Sequence, residues 1–292
     1  MIELKGKPVA DDILKVSTNL IKEKISQYYR QPKLLVITIG EDEASKVYVN
    51  KKQKACEKCR IIFEHIKYPI DIPDRTLLRD LQHFNNDKNI DGILIQQPFP
   101  KNLKGVEQYI RQDKDVDGFT MMNLGYTLYN NCVDGIYACT PIGIKEILSY
   151  YNIDLKGKHV VIIGRSNIVG KPLIGMMLDS DATVTICHSK TNDLKSICRT
   201  ADILIVAIGK PKFIDSSYLG HNTKVVVDVG INRDEDGKIC GDCDQKDIQK
   251  FWNYLNINDT YITPVPGGVG PMTVAMLISN ITNTYLEHLK EI

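Results

Sequence analysis

The sequence has almost no net charge and contains no long apolar run. Its 292 residues carry a formal net charge of +1, which gives no electrostatic case for nucleic acid or an anionic membrane as the main partner. No apolar stretch is long enough to span a bilayer. The N-terminal segment, MIELKGKPVADD, has neither the apolar core of a signal peptide nor the Arg/Ser-rich character of a transit peptide. With 43% apolar and 25% charged residues, we expect a cytoplasmic globular protein.

Cysteine is not scarce, and its spacing raises the question of a metal site. Cys56 and Cys59 are spaced C-x-x-C, as are Cys240 and Cys243, and two such pairs can bind zinc. The pairs lie far apart in the sequence, however, and the first falls in a helical pattern rather than in a knuckle turn. We therefore predict no metal site and interpret the eight cysteines as reduced thiols, with zinc as the alternative.

Strand and helix patterns alternate along the whole chain. Buried strands are predicted at residues 34–39, 61–66, 90–95, 160–163, 183–187, 203–208 and 225–229. Helices are predicted at residues 11–28, 44–59, 74–84, 103–111, 140–151, 171–178, 193–198, 244–254 and 272–290. This alternation predicts an α/β fold with mainly parallel sheets. The loop at residues 152–157 is the best candidate for a domain boundary.

The second half begins with a strand, a glycine-bearing turn and a helix, the layout that sets a phosphate on a helix N-terminus. The apolar run at residues 160–163 stops at Gly164, and Gly170 closes the turn. The turn departs from G-x-G-x-x-G, because Ser166 holds the middle position and the last glycine comes one residue late. An ordinary βα turn without a ligand is the alternative.

The next strand ends without the acidic residue that NAD-binding folds use for the ribose hydroxyls. His188, Ser189 and Lys190 follow the strand at residues 183–187, and Arg165 lies in the preceding turn. A hydroxyl, an imidazole and two cationic groups suit a 2′-phosphate. The pattern therefore favours NADP over NAD, with a merely polar strand end as the alternative.

The predicted helix at residues 44–59 carries the best candidate for acid–base chemistry. Ser45, Tyr48 and Lys52 are three and four residues apart, so they share one helical face. The helix follows the carboxyl end of a strand, where α/β folds bind ligands. A lysine beside a phenol and shielded from water can act as a base in its neutral form. A simply solvated lysine is the alternative, because the helix has several others.

Three further segments fit either a site or an ordinary connection. Gln96 ends the third strand and can both donate and accept hydrogen bonds. Asp115 and Asp117 place two carboxylates in the loop at residues 114–118, although Asp and Gly also form plain turns. The segment at residues 261–273, YITPVPGGVGPMT, predicts a rigid irregular backbone ahead of an apolar helix. That helix could face a phosphate or a carbonyl, or the segment could be only a rigid connection.

In their order and joint spacing, these segments resemble the methylenetetrahydrofolate dehydrogenase/cyclohydrolase family over nearly the whole chain. The matching motifs are Gly40…Ala44-Ser45…Tyr48-Val49…Lys52, Asp91-Gly92-Ile93-Leu94-Ile95-Gln96…Pro98, Lys114-Asp115-Val116-Asp117-Gly118-Phe119, Cys139-Thr140-Pro141, Gly164-Arg165-Ser166…Val169-Gly170…Pro172, Cys187-His188-Ser189-Lys190-Thr191 and Pro264-Val265-Pro266-Gly267-Gly268-Val269-Gly270-Pro271-Met272-Thr273.

The resemblance implies a bifunctional enzyme. It would oxidise methylenetetrahydrofolate to methenyltetrahydrofolate with NADP and hydrolyse the product to 10-formyltetrahydrofolate. The implied fold has two α/β domains with the active-site cleft between them. Residues 1–139 with 272–292 would form the folate-binding catalytic domain, onto which the C-terminal helix packs. Residues 140–271 would form a Rossmann-like, doubly wound parallel sheet that binds NADP, and the protein would be a homodimer.

The resemblance also implies residue roles. Lys52 matches the family's essential lysine, with Tyr48 and Gln96 as its catalytic partners, and Asp117 matches the carboxylate that holds the pterin ring. Gln97 is a departure, since many members carry an apolar residue there, and it could alter packing at the folate site. The implied substrate-binding residues are Tyr48, Gln96, Asp117, Pro264 and Gly268. The implied cofactor-binding residues are Thr140, Gly164, Arg165, Ser166, Gly170, His188, Ser189, Gly209 and Ile231.

Two other functions fit parts of the sequence. A two-domain dehydrogenase acting on a small acid or amino acid would explain the second half, but not Tyr48, Lys52, Gln96 and Asp117 together. A non-enzymatic nucleotide sensor would explain the glycine turn alone. Hydrolysis of a methenyl folate without any cofactor would separate the folate enzyme from both.

Overall fold

The chain folds into two compact α/β units, each built on its own sheet. The computed structural model describes residues 1–28, 30–129 and 135–290. Asp11–Cys139 and Val274–Ile292 form one unit, here called the three-stranded domain. Met1–Ala10 and Thr140–Thr273 form the other, here called the six-stranded domain. Within the described ranges, every helix is too short or too polar to cross a membrane.

Strands and helices alternate through both domains. The strands are β1 (Ile2–Glu3), β2 (Lys33–Ile39), β3 (Ile62–Tyr68), β4 (Gly92–Ile95), β5 (His159–Ile163), β6 (Thr183–Cys187), β7 (Ile203–Val206), β8 (Val225–Asp228), β9 (Asn232–Arg233), β10 (Ile239–Cys240) and β11 (Tyr261–Ile262). The helices are α1 (Gly6–Tyr28), α2 (Glu43–Lys58), α3 (Asp74–Asn86), α4 (Met121–Tyr129), α5 (Cys139–Tyr150), α6 (Gly170–Leu178), α7 (Leu194–Cys198), α8 (Gln245–Tyr254) and α9 (Val269–Leu289).

The three-stranded domain has a parallel sheet in the order β3-β2-β4. Its central strand, β2, buries Leu35 and Ile37 completely, as expected for an apolar strand covered on both faces. Leu77 and Leu81, one turn apart on α3, pack into the same core. Because all three strands run in one direction, their carboxyl ends meet at one edge of the sheet.

The six-stranded domain has a parallel sheet in the order β1-β11-β8-β7-β5-β6. β5 pairs with β6 on one side and with β7 on the other, so the strand order reverses there. In doubly wound folds this reversal is the point where ligands bind, outside the carboxyl ends of the strands. Trp252 of α8 fills the core on one face and donates its indole N–H to the Thr223 carbonyl at 2.9 Å.

The N-terminal segment differs from its predicted place. The resemblance assigns residues 1–10 to the folate domain, but Met1–Ala10 belong to the six-stranded domain. The reason is β1, which pairs in parallel with β11 through Ile2–Tyr261 and Glu3–Ile262. Strands of two residues are too short to show a hydrophobic period, so the sequence did not reveal β1, β11 or the β9–β10 hairpin.

The region after β4 also differs from the prediction. The helix predicted at residues 103–111 is wrong, because the chain forms two short 3₁₀ turns, Lys101–Leu103 and Val106–Tyr109. Gly105 separates them with a φ of +91°, which an α-helix cannot contain. Helix α4 follows and was not predicted, and residues 130–134 lie outside the described ranges.

The C-xx-C pairs lie on different elements. Cys56 and Cys59 occupy the last turn and the C-cap of α2, and both are buried free thiols. Cys240 ends β10, and Cys243 is likewise buried and free. The predicted thiol Cys132 lies outside the described residues.

Helix α9 is anchored to the amino end of β4 by a buried ion network. Asp91 is fully buried and accepts a bidentate pair of hydrogen bonds from Arg30, at 2.8 and 2.7 Å. His288 of α9 contacts Asp91 through Nδ1 at 3.1 Å and Asp113 through Nε2 at 3.4 Å. Tyr285, one turn earlier, donates its hydroxyl to the Arg30 carbonyl at 2.6 Å. These contacts hold the C-terminal helix on the three-stranded domain.

The network holds His288 as a cation. Hydrogen bonds to Asp113 and Asp91 raise the pKa of His288 to about 9, against the opposing effect of burial. Burial works against the ionised form of Asp91, but hydrogen bonds from His288 and Arg30 hold the pKa of that carboxyl below its usual value. Because the pKa of His288 is higher in the folded protein than in the unfolded chain, where it is near 6.5, the imidazolium contributes its full stabilisation at pH values below 6.5. That stabilisation is lost as the pH rises through 9.

We predict that His288→Asn lowers the free energy of unfolding by about 2–3 kcal/mol at pH 6, because it removes the imidazolium from its two carboxylates. The difference between wild type and variant should shrink as the pH rises from about 6.5 to about 9, because over this range the folded protein must lose the proton that the unfolded chain has already lost. Urea unfolding at a series of pH values measures both effects. His83→Asn, at an exposed position on α3, is the matched control. Parallel pH curves for His288→Asn and wild type would contradict the role of the network.

Candidate active site

Lys52 and Gln96 meet at the carboxyl edge of the three-stranded sheet. Lys52 is 8% exposed and donates from Nζ to Gln96 Oε1 at 2.8 Å. Gln96 follows β4, and its side-chain Nε2 donates to the Gln97 carbonyl at 2.8 Å. Because the amide nitrogen is held in this way, the amide oxygen must face the lysine. Ser45 donates to the same Gln97 carbonyl at 3.1 Å, which ties the first turn of α2 to this loop.

The start of α2 is well defined and sets where its polar face begins. Asp42 caps the helix by accepting from the Ser45 N–H at 2.7 Å. Tyr48 lies one turn before Lys52 on this face and is 40% exposed. Among the described residues its hydroxyl has no hydrogen-bond partner, and the Lys51 ammonium lies 5.6 Å from the centre of its ring. The phenol is therefore open to a ligand.

The loop that carries Asp117 is held by a buried carboxylate. Asp115 accepts from the Gly118 N–H at 3.1 Å, from the Thr120 N–H at 2.7 Å and from Asn123 Nδ2 at 2.9 Å. Asp115 is 1% exposed, so its carboxylate serves the backbone rather than a ligand. Among the described residues Asp117, by contrast, accepts no backbone N–H in this loop and is hydrogen-bonded by the Cys139 thiol.

Asn280 of α9 clamps the other side of the Asp117 loop. Its buried side-chain Nδ2 donates to the carbonyls of Val116 at 2.9 Å and Tyr137 at 3.0 Å, and lies 3.6 Å from Cys139 Sγ. Cys139 in turn donates to the Val116 carbonyl at 3.4 Å. No pattern in the sequence pointed to Asn280, because its partners are distant in the chain and its surroundings on α9 are those of an ordinary apolar helix.

Lys52, Gln96 and Asp117 belong to one electrostatic group. Asp117 is half-buried, and burial raises the pKa of its carboxyl, while the Lys52 ammonium favours the ionised form. Asp115 adds to the increase, since a like charge disfavours a second carboxylate. The structure thus brings together the lysine, the amide and the acid that the sequence singled out in three separate segments.

The glycine turn of the six-stranded domain is shaped by its own packing. Gly164 follows β5 with a φ of +127°, and a Cβ there would lie 2.2 Å from the Ala207 carbonyl oxygen. A Cβ on Gly170 would lie 2.0 Å from the Gly164 carbonyl oxygen. Ser166 is exposed and accepts from the Val169 N–H at 3.1 Å, which leads the chain into α6. Both glycines are thus required by the turn itself.

The polar residues after β6 lie at the same edge as this turn. Ile163 of β5 pairs with Cys187 of β6, and the Gly164 N–H donates to the Cys187 carbonyl at 2.9 Å. Arg165 and Ser189 follow these two positions and are both exposed. His188 is fixed by neighbouring residues, since its N–H donates to Thr191 Oγ1 at 2.8 Å and its Nδ1 accepts from the Lys190 N–H at 3.1 Å.

Two buried acids organise the same edge beyond β7 and β8. Asp242 accepts from the backbone N–H groups of residues 208–210, and Asp228 ends β8 and accepts from the N–H groups of Asp242 and Cys243. Burial raises the pKa of Asp228 to about 6, with the nearby Asp242 charge adding to the effect. Neither acid is among the residues predicted from the sequence to belong to a site. In the sequence, each acid is a single aspartate near an apolar segment. Many aspartates in ordinary surface turns show the same pattern, so the pattern does not indicate a buried acid.

The remaining predicted positions are distributed around this domain. Gly209 has a φ of +66° and open space where a side chain would project, and Ile231 is an exposed apolar residue. Gly268 is buried, and a Cβ on Gly6 would lie 2.0 Å from its carbonyl oxygen, so it packs on the N-terminal segment. Its N–H donates to the Pro264 carbonyl at 2.7 Å. Thr140 pairs with Thr273 through their hydroxyls at 3.0 Å.

Comparison with known proteins identifies the family. The family model described as tetrahydrofolate dehydrogenase/cyclohydrolase, catalytic domain, matches residues 4–117. The family model described as tetrahydrofolate dehydrogenase/cyclohydrolase, NAD(P)-binding domain, matches residues 138–289. The chain belongs to the tetrahydrofolate dehydrogenase/cyclohydrolase family.

Individual members of this family are similar over almost the full chain. The bifunctional protein FolD of Bacillus cytotoxicus is 45% identical over 282 residues, which cover 95% of this chain and 94% of the relative. The crystal structure of the bifunctional FolD enzyme of Campylobacter jejuni is 40% identical, with a TM-score of 0.90 and coverage of 98% and 99%. The Trypanosoma brucei enzyme, complexed with NADP and an inhibitor, is 29% identical, with a TM-score of 0.89 and 99% coverage of each chain.

The tetrahydrofolate dehydrogenase/cyclohydrolase family assignment confirms the implied activities. The chain is a bifunctional enzyme of one-carbon folate metabolism, a methylenetetrahydrofolate dehydrogenase and a methenyltetrahydrofolate cyclohydrolase with an NAD(P)-binding domain. The predicted fold of two α/β domains is likewise confirmed. A dehydrogenase without a hydrolase step and a non-enzymatic nucleotide sensor are therefore both wrong.

We predict that Asn280→Ala lowers the free energy of unfolding by about 1–3 kcal/mol, because the Val116 and Tyr137 carbonyls lose their buried donor. Denaturant unfolding measures the change. Asn283→Ala, an exposed position on the same helix, is the matched control and should change stability by less than about 0.5 kcal/mol. Equal losses for the two variants would show that the Asn280 clamp contributes nothing specific.

Proposed function

We propose that Lys52 is the general base of methenyl hydrolysis and that Gln96 and Asp117 bind the folate beside it. The observation that carries this proposal is the buried Lys52 Nζ at 2.8 Å from an amide oxygen whose orientation is set by the Gln97 carbonyl. In the described part of the chain, Gln96 is the one hydrogen-bond acceptor of Lys52. An amine has further capacity for hydrogen bonds, so a substrate or a water can contact Nζ.

The hydrolytic step needs a proton acceptor at this position. Water adds to the carbon of the methenyl cation, forming a C–O bond, and the oxygen must lose a proton. To act as the base Lys52 must first release a proton; the amine then still donates one N–H to Gln96 Oε1, which leaves its lone pair directed elsewhere and able to take the proton from water. The bond from the same carbon to one ring nitrogen then breaks, that nitrogen takes the proton from Lys52, and the remaining hydroxyl proton leaves to solvent as the C=O bond forms, giving 10-formyltetrahydrofolate and one proton.

Asp117 suits the pterin ring of the folate. A carboxylate can accept two hydrogen bonds from neighbouring N–H groups, which a neutral amide cannot match in charge. The loop around Asp117 is held by Asp115 on one side and Asn280 on the other, so little order has to be gained on binding. The contributions of Tyr48, Pro264 and Gly268 to folate binding stay predictions from the family resemblance.

Hydride removal from methylenetetrahydrofolate requires orientation more than a protein base. NAD(P), when bound, accepts the hydride, while the folate nitrogens supply the electron push. Apart from Thr140 at the start of α5, the residues that we expect to hold the dinucleotide follow β5, β6, β7 and β8. The implied set is Thr140, Gly164, Arg165, Ser166, Gly170, His188, Ser189, Gly209 and Ile231. The exposed polar groups of this set and the open space at Gly209 fit such a ligand.

NADP is the cofactor that we infer from this edge. Arg165, Ser189 and Lys190 are exposed, and the strand end carries no acid that would repel a 2′-phosphate. The relative from Trypanosoma brucei, which is described as complexed with NADP, supports the same choice. The homodimer and the cytoplasmic location stay predictions from the sequence and its resemblance.

We predict that Lys52→Met nearly abolishes methenyl hydrolysis. The change keeps most of the side-chain length but removes the base, a contribution of roughly 10²–10⁴-fold. The dehydrogenase step should fall less, because hydride departure needs no base. Both reactions are assayed by absorbance on one purified sample that is folded and binds NADP.

Lys54→Met is the matched control for this prediction, because Lys54 is an exposed lysine on the same helix. It should keep both activities. Hydrolysis by Lys52→Met at the wild-type rate would eliminate Lys52 as the base, whatever happens to the dehydrogenase step.

We predict that Arg165→Ala weakens NADP binding by about tenfold and leaves NAD binding nearly unchanged. An exposed charge-assisted contact to a phosphate is worth about 1.5 kcal/mol, and NAD lacks that phosphate. Calorimetric titration with both cofactors measures the difference. Arg199→Ala, an exposed arginine in the C-cap of α7, is the control. Equal losses for both cofactors would remove Arg165 from the 2′-phosphate site.

A further inference from the structure

Asp242 is a fully buried carboxylate that is used entirely by neighbouring loops. Its Oδ2 accepts from the N–H groups of Ile208 at 2.7 Å and Gly209 at 3.1 Å. Its Oδ1 accepts from the Lys210 N–H and from Asn232 Nδ2, both at 2.8 Å. In the described part of the chain, Asp242 has no ion-pair partner. Its buried charge is therefore stabilised by hydrogen bonds from three consecutive backbone N–H groups and one side-chain amide, in place of water.

The chain is built closely around this carboxylate. A Cβ on Gly230 would lie 2.2 Å from Asp242 Cγ, so only glycine fits there. Asp228, at the end of β8, accepts from the Asp242 N–H at 2.8 Å and from the Gly230 N–H at 3.2 Å, which fixes the backbone of both. Three segments that are distant in sequence are therefore joined, namely the loop after β7, the loop after β8 and the residues that follow β10.

Two of these segments carry residues that face open space. At Gly209, no other part of the described chain lies within 4 Å of the position that a Cβ would occupy, and Ile231, between Gly230 and Asn232, is an exposed apolar side chain. Both lie beyond the ends of β7 and β8, on the far side of the strand-order reversal from β6. Since Arg165 and Ser189 at β5 and β6 are proposed for the 2′-phosphate of the adenosine half, the nicotinamide half falls to the edge of β7 and β8.

We propose that Asp242 is a positioning residue for NAD(P): it holds the backbone at residues 208–210 and the segment around Ile231 in the arrangement that receives the nicotinamide half. This proposal rests on the proposed placement of Gly209 and Ile231 in the cofactor site. The carboxylate acts through the loops and does not itself touch the dinucleotide. Its effect should therefore be the same for NADP and NAD, which share that half.

The test is the dissociation constant of each dinucleotide for Asp242→Asn, measured by calorimetric titration of the full chain without folate. Asparagine keeps the size but turns an N–H donor toward N–H groups that need an acceptor. We expect the dissociation constants for NADP and NAD to rise together by roughly tenfold or more. The KM for the dinucleotide should rise in parallel, whereas that for methylenetetrahydrofolate should not. Methenyl hydrolysis, which consumes no cofactor, reports the folded fraction of each sample.

Three further variants make each outcome decisive. Asp236→Asn, on the exposed turn of the same hairpin where Asp236 pairs with Lys238 at 3.7 Å, is the matched control and should bind both dinucleotides normally. Ile231→Ala probes the cofactor site directly. If Ile231→Ala weakens binding and Asp242→Asn does not, the positioning role is wrong and the cofactor placement stands. If neither weakens binding, the placement itself is wrong and the inference falls with it.

Asn232→Ala covers the case in which Asp242→Asn loses binding and hydrolysis together through misfolding. It removes one of the four hydrogen bonds to the carboxylate and leaves the three backbone donors in place. We expect it to weaken both dinucleotides by about twofold to fivefold. Unchanged binding by a folded Asn232→Ala would overturn the positioning role.

Discussion

Buried carboxylates that accept backbone N–H groups hold the loops on which both candidate sites depend. Where a parallel strand ends, the chain leaves the sheet and its N–H groups lose their ladder partners, yet buried N–H groups must be satisfied. Asp115 accepts hydrogen bonds from backbone N–H groups in the loop around Asp117, and Asp242 does the same in the loop around Gly209. A carboxylate can accept several N–H groups at once, so one side chain orders a whole turn. The loops are thus rigid while their outer surface stays open to a ligand.

The same constraint explains why Lys52 is a good candidate for chemistry. A buried ammonium without a full set of acceptors is poorly solvated, and Gln96 gives it a single acceptor whose orientation cannot change. The hydrogen bond fixes the position of Nζ. Asp117 supplies the nearby negative charge, and burial raises the pKa of that acid. Acid, amide and amine therefore share the region in which we propose that the methenyl folate is hydrolysed.

Long periodic segments were predictable, and short or irregular ones were not. The strand predicted at residues 160–163 and the helix predicted at residues 171–178 agree with β5 and α6 to within a residue, because each buries one consistent apolar set. β1 and β11 were not predicted because a strand of two residues is too short to show a hydrophobic period. The sequence suggests that the glycines of the turn serve to bind a phosphate. In the structure, Gly164 and Gly170 are required because neighbouring backbone atoms leave no room for a Cβ.

By itself, the sequence determined the α/β class, the family and the two reactions, and it singled out Lys52, Gln96 and Asp117 as candidate site residues, since residue types in a given order carry that information. Only the tertiary structure decided which acid of the Asp115–Asp117 pair is committed to the backbone of the loop and that residues 1–10 cluster with the six-stranded domain. It also decided that Asn280 and Asp242 serve distant loops. The physical reason is that hydrogen bonds between segments far apart in the chain leave no local pattern in the sequence.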